Sequence, residues 1–66
     1  MAQTPHEHAE QVAARLRREL GCKRHECRTS ITLREGKKRY GYRVIVCRYS
    51  DKEVSSAFVW NNGEVS

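Results

Sequence analysis

The sequence predicts an α+β fold: one N-terminal helix packed on a three-stranded antiparallel β-meander, in the order α-β-β-β. Three observations lead there. Residues 5–20 form an amphipathic stretch with start and stop signals, the hydrophobic period changes from helical to alternating after Thr29, and two turn-forming stretches divide the remainder into three strands. The chain has 66 residues, which allows one domain over 1–66 with one thin core and no buried catalytic cleft of ordinary size.

The helix is the most fully specified element. In Thr4-Pro5-His6-Glu7 a hydroxyl stands at the N-cap, a proline at the first helical position, and a glutamate three residues after the cap, the pattern of a capping box. Ala9, Val12, Ala13, Leu16 and Leu20 then fall within roughly 100° of arc on a helical wheel. Glu7 and Glu10 lie toward the positive end of the helix dipole, Arg15, Arg17 and Arg18 toward the negative end, and Arg15 reaches Glu19 one turn on. Gly21 is placed to end the helix in the left-handed conformation.

In the first strand Ile31 and Leu33 alternate with Ser30, Thr32 and Arg34, and Glu35-Gly36-Lys37 supplies a hairpin turn. A second strand runs from about Arg39 to Tyr49, Ser50-Asp51-Lys52 forms the next turn, and a third strand runs from Val54 to Trp60, stopped by Asn61-Asn62-Gly63. A two-residue turn centred on Glu35-Gly36 or Gly36-Lys37 puts Ile31 and Leu33 on one face with Tyr40, Tyr42, Val44 and Val46, and this face is expected to meet the helix. An even-numbered second loop adds Ala57 and Val59 to that face. The opposite face then displays Arg43, Ile45, Cys47, Tyr49, Phe58 and Trp60, an apolar and aromatic patch of the kind that marks an interaction surface. A three-residue loop would exchange the two sets.

Charge is uneven along the chain. The net charge is +5, and residues 15–48 carry twelve Lys/Arg against three Glu, whereas the segments before and after are net acidic. Lys23, Arg24, His25 and Arg28 form one cluster and Arg34, Lys37, Lys38 and Arg39 another, with Arg43 and Arg48 extending the charge along the second strand. Such density neutralises phosphates, and neighbouring aromatics stack on unpaired bases. The candidate nucleic-acid contacts are therefore Lys23, Arg24, Arg34, Lys37, Lys38, Arg39 and Arg43, with Ile45, Tyr49, Phe58 and Trp60 as a stacking or interface surface. The two clusters are separated by about 20 Å of strand, which weighs against one continuous patch.

Other chemistries find less support. Cys22, His25, Cys27 and Cys47 match a Cys3His zinc set in kind, but the ligands do not come as two close pairs and the register puts Cys27 and Cys47 on opposite faces. The expectation is no metal and no cofactor, with reduced thiols. His6 and His8, on the first helical turn, read as solvated. Nucleophile-elbow, phosphate-loop and zinc-protease motifs are absent, as is a carboxylate pair in an apolar setting. Arg28 beside Cys27 is an arrangement that would lower a thiol pKa, but no partner histidine can be placed for it, so the sequence predicts no enzyme.

The α-β-β-β order resembles the first four elements of a double-stranded RNA-binding domain, but no lysine-rich second helix follows Trp60, and the family is not assigned. In size and basic composition the chain is similar in build to small accessory proteins of phages and mobile elements. No apolar run spans a bilayer and no signal peptide is present, so the expected location is the cytoplasm. Two functions follow as expectations. The first is nucleic-acid binding, to DNA or RNA, through Lys/Arg phosphate contacts and aromatic stacking from a sheet face. The alternative is a non-enzymatic inhibitor or adaptor that binds a larger protein, or a second copy in a homodimer, through the same basic and aromatic surface.

Overall fold

The computed structural model describes residues 3–66. Helix α1 spans Pro5–Leu20, a single 3-10 turn covers Arg24–Glu26, and strands β1 (Cys27–Glu35), β2 (Tyr40–Arg48) and β3 (Val54–Trp60) lie side by side in that order, all antiparallel. This is the α+β arrangement the sequence predicts. No helix among the described residues is long and apolar enough to cross a membrane.

The ends of α1 are set by local chemistry. The Thr4 hydroxyl accepts a hydrogen bond from the Glu7 N–H at 3.1 Å, satisfying one of the donors that a first turn leaves open. Gly21, with φ +69°, closes the other end: its N–H donates to the Arg18 carbonyl at 3.0 Å while that of Cys22 donates to Arg17 at 3.1 Å, a Schellman arrangement. Arg15 and Glu19 pair on the exposed face at 3.9 Å.

Ala9, Val12, Ala13 and Leu16 of α1 are buried against Val44, Val46 and Val59, with Cys27 at the edge of the cluster and Leu20, Cys22, Ile31, Tyr42 and Ala57 partly buried around it. Two alanines one turn apart bring the helix close to a surface made of valines. Each fully buried Val or Leu contributes on the order of 1.5–3 kcal/mol, so this thin layer carries most of the apolar stabilisation. The helix lies over β2 and β3 more than over β1. That face meets the helix as expected, but only in part: Leu33 is 48% exposed and Tyr40 is 37% exposed, because a single helix is narrower than a three-stranded sheet. His6 is exposed as expected, with its ring centroid 5.4 Å from that of Tyr42 and Glu10 at 3.5 Å, whereas His8 is half-buried.

Both turns preserve the expected faces, but the first is centred elsewhere. Gly36 donates to the Arg39 carbonyl at 2.8 Å and Glu35 stands opposite Tyr40, so the turn residues are Lys37 and Lys38 and not the pairs that include Gly36. Neither lysine has a positive φ, so the turn does not call on glycine's freedom at its centre. The parity is the same for all three centres, which is why the face assignment survives the shift. At the second turn Arg48 donates to the Glu53 carbonyl at 2.8 Å across a four-residue loop in which Lys52 has φ +61°. Ala57 stands opposite Val44 and Val59 opposite Tyr42, so Phe58 and Trp60 are on the face away from the helix.

After β3 the chain does not simply stop pairing at Asn61-Asn62-Gly63. It reverses there, with Gly63 at φ +95°. The N–H groups of Phe58 and Trp60 donate to the carbonyls of Ser66 and Glu64 at 2.9 and 2.8 Å, which covers half of the β3 edge.

Candidate nucleic-acid interface

Alternation along three paired strands decides which side chains share the uncovered face. Registers Arg28↔Cys47, Ser30↔Ile45, Thr32↔Arg43 and Arg34↔Gly41 on one side of β2, with Cys47↔Val54, Ile45↔Ser56, Arg43↔Phe58 and Gly41↔Trp60 on the other, define four rows across it. Three arginines and no carboxylate project from these rows. Ser30, Thr32 and Ser56 put small hydroxyl residues between them, so the face is open and cationic.

The rows nearest the Lys37-Lys38 turn are the densest. Trp60 and Phe58, two residues apart on β3, have ring centroids 4.5 Å apart, and the Arg39 guanidinium lies 3.8 Å from the Trp60 ring centre, within the range of a cation–π contact. Gly41 makes this possible. A Cβ there would lie 2.3 Å from Cε1 of Phe58 and 2.6 Å from the Val59 carbonyl oxygen, so the Phe58 ring occupies the space that any other residue on β2 would fill. Arg34 and Arg43 flank the pair through their partners Gly41 and Phe58. The acidic neighbour of this group is Glu64, 3.8 Å from Arg39, with both side chains more than half exposed.

Of the sequence-derived candidates, Arg34, Arg39, Arg43, Phe58 and Trp60 are thus brought to one end of one face, beside the turn that carries Lys37 and Lys38, with Ile45 in the next row. Lys23 and Arg24 are not: they lie in the connection between α1 and β1, where Arg24 lines a groove on the helix side with His6, Glu10 and Arg17. Tyr49 stands in the second turn, 53% exposed, at the far end from Trp60. Arg28 belongs to the face and was not among the candidates. Its alternation with Ser30, Thr32 and Arg34 was available as a signal once β1 is begun at Cys27 and not at Thr29.

Arg48 is corrected in the opposite sense. The sequence reading counts it with the basic surface, but it points to the helix side, donates to the Leu20 carbonyl, and is held by Asp51 at 2.6 and 3.0 Å and by Glu53 at 2.8 Å. The fork of bonds from Arg48, with a further backbone bond from Glu53, lowers the Asp51 carboxyl to about 2, and the same pairing raises Arg48 above its ordinary value. This arginine ties the end of α1 to the second turn and is not free to meet a phosphate.

Cys22, Cys27 and Cys47 are free thiols. Cys27 faces the helix while Arg28 faces away, so the expected lowering by Arg28 is absent; burial, and then the neighbouring Cys22 thiol, push Cys27 up. Cys47 lies on the opposite face from Cys27, and among the described residues no group of three or more His, Cys, Asp or Glu is placed to hold a metal ion.

No protein-family model, curated protein or solved structure matches this chain.

Proposed function

We propose that the uncovered sheet face binds single-stranded nucleic acid, DNA or RNA, at the end formed by the first turn. The observation that carries this reading is the Phe58–Trp60 pair with Arg39 on the Trp60 ring, set among cations that have little acidic competition. Aromatic rings on a sheet offer a stacking surface to any base, at about 1–3 kcal/mol per base. On binding, a base takes the place of the Arg39 guanidinium on Trp60, and Arg39 turns to the adjoining phosphate. Arg34, Arg43, Lys37 and Lys38 neutralise neighbouring phosphates, and Phe58, fixed over Gly41, packs against Trp60. A duplex fits this arrangement less well, because its bases are not available for stacking.

Fluorescence anisotropy of a labelled oligonucleotide at a series of salt concentrations tests the proposal. Five phosphate contacts by Arg34, Lys37, Lys38, Arg39 and Arg43 give a log K against log salt slope of about −3.5, and replacing Lys37, Lys38 and Arg39 by Ala reduces it to about −1.4. Absence of binding to single-stranded DNA and RNA at low salt would refute the reading and leave a protein partner as the occupant of the face.

A further inference from the structure

The two edges of the sheet are treated differently. On β3 the outward amides of Phe58 and Trp60 are used by the chain's own residues 64–66, whereas nothing among the described residues pairs with the outer edge of β1. Parity identifies the free groups. Gly36 donates to Arg39 at 2.8 Å and Tyr49 to Glu26 at 3.0 Å, so the even-numbered residues of β1 exchange hydrogen bonds with β2. The alternation of an antiparallel ladder therefore turns the N–H and C=O groups of Cys27, Thr29, Ile31, Leu33 and Glu35 outward. Pairing along β1 is unbroken over Cys27–Glu35, with no proline or bulge, the devices that commonly protect an edge. The side chains of the same residues face the helix side, where α1 leaves Leu33 exposed and Ile31 half-buried beside an open groove of about 400 Å³.

We propose that β1 pairs antiparallel with β1 of a second copy of this chain, about a two-fold axis at Thr32, giving one six-stranded sheet. Hydrogen bonding requires odd residues to meet odd residues, which leaves three central registers. An axis at Ile31 sets Arg28 against Arg34 twice, like charge against like. An axis at Ser30 sets Leu33 against Cys27, which is already buried, and carries Arg34 past β1 to Glu26, which belongs to the 3-10 turn. The axis at Thr32 sets Ile31 against Leu33 in both halves, Thr32 against Thr32 and Ser30 against Arg34. It also sets Thr29 against Glu35, and Arg17 already donates to the Thr29 hydroxyl at 3.0 Å, so its guanidinium meets the Glu35 carboxylate of the second copy. Only this register pairs the exposed Leu33 with the half-buried Ile31 and also brings opposite charges together within the paired strands. The two outer faces then lie on the same side of the joined sheet. The proposal stands independently of what that face binds.

Sedimentation of the full chain over a range of concentrations, with three variants, tests it. The expected result is a monomer–dimer equilibrium that Leu33→Lys weakens by more than about tenfold in Kd, with the circular dichroism of the fold unchanged because Leu33 is exposed in one copy. Thr32→Cys places two thiols in a non-hydrogen-bonded pair about 4.5 Å apart at Cα, within disulfide reach. With oxidised glutathione this variant is expected to give a covalent dimer that wild type does not. Ser30→Cys, with its thiols four ladder positions or about 13 Å apart, gives none. A monomer at every concentration, a dimer indifferent to Leu33→Lys, or cross-linking through Ser30→Cys in place of Thr32→Cys would overturn the proposal.

Discussion

At one end of the sheet a cation is enclosed; at the other, cations are gathered without enclosure. Arg48, beside the second turn, is bonded to two carboxylates and a helix carbonyl, and its charge is spent on joining α1 to the β2–β3 hairpin. Around the first turn the one ion pair that Arg34, Lys37, Lys38, Arg39 and Arg43 make among the described residues is the loose, exposed contact of Arg39 with Glu64, and Glu35 lines a shallow groove with Lys38 and Arg39 on the helix side. The two ends differ in which face the arginine projects from, and that follows from parity. Position 48 is even and lies on the helix side of β2, whereas position 43 is odd and lies on the open side. Charge at these two ends is therefore of two kinds, structural at Arg48 and unenclosed around the first turn.

Substituting Arg48 breaks the comparison most strongly. Arg48→Ala leaves Asp51 and Glu53 facing each other and removes the donor from the Leu20 carbonyl, so a large fall in the thermal midpoint is expected, read by circular dichroism. Acid gives a smaller, graded version. The Asp51 pKa is depressed, at about 2 in the folded chain against about 3.9 unfolded, so its contribution is fully present above pH ~4 and is lost as pH falls toward 2. In Asp51→Asn that part of the acid dependence is missing in pH melts. The smallest stability effect belongs to the open end. Arg43→Ala is expected to change folding by less than about 0.5 kcal/mol while the salt slope of nucleic-acid binding loses about 0.7. A fall in stability comparable with that of Arg48→Ala would mean the two ends are not different in kind.

How much of this was legible without coordinates depends on whether a feature is local. The α1 boundaries, Pro5 and Leu20, coincide with the cap and the Schellman glycine, because those signals act within four residues. The faces of all three strands were legible too, since parity tolerates an error in where a turn is centred: Lys37-Lys38 replaces a glycine-containing pair and no side chain changes sides. What was not legible is non-local. That α1 leaves Leu33 uncovered depends on where the helix lands across the sheet. The return of residues 64–66 to the β3 edge depends on a turn at Gly63 that composition marks only as a stop.

In the candidate site the same division holds. The grouping of Arg34, Arg43, Phe58 and Trp60 follows from register arithmetic. The ring of Phe58 filling the place of a side chain at Gly41 required atomic positions, as did the guanidinium of Arg39 on Trp60. The helix-side position of Arg48 follows from parity, but its pairing with Asp51 and Glu53 was not legible, because it runs across a turn whose geometry sequence spacing leaves open. Lys23 and Arg24 were grouped by adjacency in the chain, whereas the 3-10 turn at Arg24–Glu26 intervenes before β1 begins, and Arg24 lines the helix-side groove.

Trp60 is the single tryptophan of the chain and lies at the centre of the proposed surface, so its intrinsic fluorescence tests the central claim most directly. Titration of the protein with a single-stranded oligonucleotide at low salt is expected to quench the emission saturably, as a base replaces the Arg39 guanidinium on the ring, and raising the salt concentration is expected to restore it. Unchanged Trp60 emission at oligonucleotide concentrations where anisotropy shows the complex to be formed, or no complex at all, would contradict the account.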